Sequence, residues 1–139
     1  MKNYIFLAIL GLLLYSNFVL ANGAIVIVAN TPDQSIELSR HEVRKLFMGG
    51  ALPYNLNPIT LPPGNHTRVL FNTKVVGLTE SRIQSYWAQM RFTGRKNEPK
   101  EIGTERAILE YIKSHSGAVG YLPAGTFIPD ELTVLYSTP

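Results

Sequence analysis

The sequence predicts an α/β domain, a mixed sheet flanked by helices. Three observations carry that expectation. Ala24-Ile25-Val26-Ile27-Val28-Ala29 is a continuous apolar run rich in β-branched residues, the pattern of a strand covered on both faces. Ser39-Arg40-His41-Glu42 has the capping-box spacing, and an apolar helical stripe follows it. Glu101 to Leu122 reads as a capped helix, a glycine turn and a short buried strand.

The elements follow in order. After the Ala24–Ala29 strand, Asn30-Thr31-Pro32-Asp33 makes a turn, and Ile36 and Leu38 alternate with polar residues. Ser39 opens a helix, with Leu38 placed to staple to Val43 across the cap. Val43, Leu46 and Phe47 share its apolar face, and Gly49-Gly50 stops it. Leu52 to Asn57 is a loop, and Pro58-Ile59-Thr60-Leu61 a short strand. Pro62-Pro63-Gly64-Asn65 turns sharply into a second helix near Thr67 to Val76. Gly77 separates it from a third, capped by Thr79, with Glu80 in the first turn. Ile83, Tyr86, Trp87 and Met90 form its apolar stripe. Thr93 to Lys100 reads as a loop. Thr104 then caps a helix whose stripe is Ala107, Ile108, Tyr111 and Ile112. Gly117 ends that helix, Ala118 to Leu122 is a strand, and Leu132 to Tyr136 is the last strand.

Residues 1–21 have the form of a cleavable export signal. Lys2 precedes the apolar run Ile5–Leu14, and Val19-Leu20-Ala21 places small residues at a cleavage point. Ser16 and Asn17 keep the run short of the ~20 residues that span a bilayer. Export to the periplasm, with no membrane span after signal removal, is the expectation. The remaining 118 residues, Asn22 to Pro139, are enough for one domain with a real core. Their net charge is +2, from 12 basic and 10 acidic residues, so the chain is not a nucleic-acid binder by composition. The densest basic run, Arg91 to Lys96, fits a solvated loop. There is no cysteine, hence no disulfide or thiol chemistry. His41, His66 and His115 lack metal-ligand spacing, and nothing resembles a nucleophile elbow. No metal, no cofactor and no enzyme activity are expected.

Over Ile25 to Leu122 the chain resembles the phosphate-binding periplasmic protein family in a short form. Leu38-Ser39-Arg40-His41-Glu42-Val43-Arg44-Lys45-Leu46-Phe47-Met48-Gly49 is similar to the family's Leu-Thr/Ser-x-x-x-Leu-x-x-Ile-Phe-x-Gly helix. Pro58–Leu61 falls where the family has the strand before its anion loop, and Arg68 and Phe71 lie on the helix after it. Tyr86-Trp87, Phe92-Thr93-Gly94 and Pro99-Lys100-Glu101-Ile102-Gly103 resemble short, single-lobe relatives, and Gly117 to Tyr121 closes the match. The resemblance implies one lobe of a type 2 periplasmic binding protein-like fold over residues 22–139. It also implies a substrate-binding-like module for phosphate or a related oxyanion, serving an ABC-type transport or sensing system. Family members close two lobes around the ligand. At the family's Arg-Ser-Asp-Gly-Ser-Gly-Thr-like loop this chain has Leu61-Pro62-Pro63-Gly64-Asn65-His66-Thr67, shorter and without an acid.

Two readings of this loop stand side by side. In one, Gly64, Asn65, His66, Thr67 and Arg68 contact an anion through free amides of a new helix, a hydroxyl and a guanidinium, with Ser39 at another helix start contributing. In the other, Asn65 or Thr67 caps the helix and Arg68 forms a surface ion pair. A helix start contributes about 0.3–1 kcal/mol toward an exposed anion. A charged hydrogen bond contributes about 1.5–3 kcal/mol. Micromolar affinity needs about 8 kcal/mol after binding costs. One open loop falls short, so a second lobe, a second copy or an envelope protein would have to complete it. The competing function is an interaction or scaffold protein that kept the lobe and lost tight ligand capture.

Overall fold

The computed structural model describes residues 23–139; the expected signal segment lies outside the described residues. The strands are β1 (Ile25–Ala29), β2 (Asn57–Thr60), β3 (Lys100–Glu101), β4 (Ala118–Pro123) and β5 (Thr133–Ser137). The α-helices are α1 (Arg40–Phe47), α2 (His66–Phe71), α3 (Glu80–Phe92) and α4 (Glu105–Ser114). They build one mixed five-stranded sheet in the order β3-β2-β4-β1-β5. β2 runs parallel to β3 and β4, while β1 runs antiparallel to β4 and β5.

β1 lies inside the sheet, which explains its unbroken apolar sequence. Four of its five residues are buried, since both edges are paired and both faces covered. β4 is equally enclosed from Ala118 to Leu122. Gly120 lets α4 come close: a Cβ there would stand 2.8 Å from Ile108 Cγ2 and 3.1 Å from Ile112 Cδ1. Tyr121, fully buried, stacks on Phe71 with ring centroids 4.0 Å apart, and Phe47 tilts against both rings. These three rings tie α1, α2 and β4 into one core.

The helix starts are as the sequence indicates. Ser39, Thr79 and Thr104 each accept a hydrogen bond from a first-turn amide, and Ser39 and Glu42 complete the capping box. Four details differ. The second helix is α-helical only over His66–Phe71 and continues as a π turn over Asn72–Val76, ending at Gly77 with φ +72°. An inserted residue of this kind leaves no mark on hydrophobic spacing. Lys100 and Glu101, expected in a loop, form the edge strand β3 by pairing with Ile59 and Thr60. Two residues are too few to show alternation. Ala107 is exposed, and the stripe of α4 is completed by Leu109 instead. On α3 the core positions are Ile83 and Trp87, with Tyr86 and Met90 packed at the margin.

Candidate functional site

The loop between β2 and α2 leaves the sheet at Leu61, beside the carboxyl ends of the parallel strands β2 and β3. Gly64, at φ +85°, makes the turn and faces open space. Asn65 adopts an extended backbone and its Oδ1 accepts from the Arg68 amide at 3.1 Å. The side-chain donors of Asn65, Thr67 and Arg68 turn toward two carboxylates of this chain. Asn65 Nδ2 and Thr67 Oγ1 each donate to Glu105 Oε1 at 2.9 Å. Glu105 comes from the first turn of α4, so one oxygen fills the place where a bound oxyanion would meet both groups. The hydrogen bond from Asn65 is the largest influence on this carboxyl. Burial opposes it, the Thr67 hydroxyl and nearby His66 assist, and the net effect holds Glu105 below the usual glutamate range.

Arg68 is inside the protein, 7% exposed. Its Nε and Nη2 donate to Glu80 Oε1 and Oε2 at 2.6 and 2.8 Å, a bidentate pair, and Nη1 donates to the Leu61 carbonyl at 2.7 Å. Glu80 also accepts from Asn72 Nδ2 at 3.1 Å and Gln84 Nε2 at 2.9 Å. Burial pushes Glu80 upward, but the bonds from Arg68, Gln84 and Asn72 together with the Arg68 charge outweigh it, leaving the group below 4.5. Tyr121 supports the same strand end: its hydroxyl lies 2.8 Å from Thr60 Oγ1 and accepts from the Leu61 amide at 3.1 Å. A cleft of about 160 Å³ opens here, its lining including the polar Thr60, Arg68, Asn72, Gln84, Glu98 and Glu101 and the apolar Phe71, Ile83 and Trp87.

The structure therefore brings Gly64, Asn65, His66, Thr67 and Arg68 into one loop and helix start. Ser39 stands at the start of α1, its hydroxyl accepting from the Glu42 amide at 3.1 Å. The ion pair of Arg68, expected at the surface, is an interior one, because the guanidinium lies between α2, the start of α3 and the Leu61 carbonyl. Glu105 is half-buried and bonded. Sequence reasoning missed both carboxylates as site residues. One signal was available: Thr79-Glu80 and Thr104-Glu105 repeat the same cap-plus-acid pair, and each acid reaches across to the α2 segment.

No protein-family profile matches the chain, and no curated protein does. A solved structure does: the crystal structure of an ABC-type phosphate transport receptor from Vibrio cholerae, at a TM-score of 0.59 and 14% identity, over 81% of this chain. The chain spans 45% of the length of that receptor. The likeness shows the fold alone: the chain has the α/β architecture of part of that receptor. Among the described residues no helix is long and apolar enough to cross a membrane.

Proposed function

We propose that the chain is an exported substrate-binding-protein-like module that acts by docking in the envelope, with its former oxyanion loop neutralised from within. Residues 1–21 are its export signal and residues 22–139 its working domain, placed in the periplasm. The observation that carries this reading is the Glu105 carboxylate lying on Asn65 and Thr67, with Arg68 already engaged by Glu80. A phosphate entering the loop would have to displace one carboxylate and approach a second, and like charges at that range repel.

A second reading is supported by the fold itself. A lobe shaped like part of a phosphate transport receptor would bind phosphate or a related oxyanion through Gly64, Asn65, His66, Thr67 and Arg68, with Ser39, once a second lobe or a partner closes over it. It would then serve an ABC-type transport or sensing system. Neither reading gives the chain an enzymatic role.

Titration calorimetry with inorganic phosphate separates the two. The docking reading expects no saturable binding by the monomer at millimolar phosphate, and detectable binding in Glu105→Ala, where Asn65 and Thr67 are released. Tight one-to-one binding by the unaltered monomer would overturn it and establish the second reading.

A further inference from the structure

A second cleft lies between α1 and the π turn, lined by residues other than those of the Gly64–Arg68 loop. It is open to solvent, has a volume of about 480 Å³ and is lined by Arg40, His41, Arg44, Val75, Val76 and Gly77. No Asp or Glu belongs to that lining. Arg40, His41 and Arg44 form no ion pair among the described residues.

The local backbone explains the gathering. Arg40 and Arg44 are one helical turn apart, and His41 precedes Arg44 by three, so the three side chains share an edge of α1. That edge faces the end of the π turn. There Gly77 takes φ +72°, and a Cβ on it would lie 3.5 Å from Arg40 Nη2. The Arg40 guanidinium thus lies over the end of the π turn. The start of α1 is not itself the site. Its capping box is closed, with Glu42 donating its amide to Ser39 Oγ and accepting from the Ser39 amide. Glu42 is thereby held at the cap and does not line the cleft.

We propose that this cleft binds a polyphosphate chain, an anion carrying two or more linked phosphates. Guanidinium groups match phosphate oxygens in a forked, bidentate geometry. Exposed single ion pairs contribute little in water, so a lone phosphate on these exposed side chains gains little. A linked anion meets Arg40 and Arg44 at once, at the ~5–6 Å spacing of neighbouring helical turns. The cleft also has room for more than a single oxyanion. This inference goes beyond the docking reading and does not depend on it. The polyphosphate is either a free inorganic chain or the chain of an organic ester.

The test is an amide NMR titration of the protein with tripolyphosphate at low salt, with affinity from calorimetry. Saturable one-to-one binding is expected, with shifts centred on Arg40–Arg44 and Val75–Gly77. Arg40→Gln with Arg44→Gln should weaken it by about tenfold or more, since each exposed charged contact is worth up to about fivefold and two are lost together. The charge-matched pair Arg95→Gln with Lys96→Gln should change it by less than about threefold. Orthophosphate should bind at least about tenfold more weakly than tripolyphosphate. Equal affinity for ADP assigns the site to the phosphate chain alone, and tighter binding of ADP assigns it to an organic ester. The proposal is overturned by absence of saturation, by equal loss in both double variants, or by shifts centred elsewhere. Shifts centred on Gly64–Arg68 would instead support oxyanion capture by that loop. Circular dichroism checks that the variants fold, as both arginines are exposed.

Discussion

Replacing Glu80 with alanine strands a buried guanidinium. The Arg68 side chain is 8% exposed and that of Glu80 32%. After truncation only the Leu61 carbonyl still accepts from Arg68, and the buried Asn72 amide loses its acceptor. Breaking a fully buried pair costs about 3–5 kcal/mol. Partial exposure of Glu80 lets water reach the gap, which sets the expectation near the low end, about 3 kcal/mol. For a domain of this size that corresponds to a fall in Tm of roughly 10 °C. Trp87, the chain's single tryptophan, is 3% exposed and reports unfolding in urea. A double variant, Arg68→Met with Glu80→Leu, removes both charges and should recover much of the loss. The reasoning is refuted if Glu80→Ala costs under about 1 kcal/mol, or if the double variant costs as much as the two single changes added together.

Three further outcomes are expected. Glu80 and Glu105 both sit below 4.5 in the folded chain. Their stabilisation is therefore complete above that value and is lost as pH falls through the lowered native values, which urea melts between pH 7 and 3 would follow; Glu105→Gln should flatten part of that acid loss. Tyr121→Phe keeps the stack on Phe71 but leaves the buried Leu61 amide without its acceptor, a loss of about 1–2 kcal/mol in the same urea assay. Gly120→Ala drives a methyl into Ile108 and Ile112 on α4, with a cost of about 1–3 kcal/mol by thermal melting.

The sheet and most helix starts were legible because their causes lie within a few residues. The Ile25–Ala29 run is apolar because both faces of β1 are covered, and Ser39 reaches Glu42 without help from the rest of the chain. The π turn at Asn72–Val76 and the two-residue strand β3 were not legible. One is a single inserted residue, and the other exists only because β2 lies alongside. The candidate loop was legible as a place and not as a state. Gly64 to Arg68 stood out by composition, whereas the acids that engage them come from 12 residues away at Glu80 and from 40 and 38 residues away at Glu105.

The sequence alone determined the α/β class, the caps and the position of the loop, since short-range sterics and hydrogen bonding fix those. Tertiary structure alone decided what surrounds each cation. Arg68 is neutralised because α3 starts beside it, while among the described residues Arg40 and Arg44 form no ion pair and the π turn brings Val75, Val76 and Gly77 to their edge of α1. Charge pairing acts through space, and neighbours in space are set by packing rather than by order along the chain.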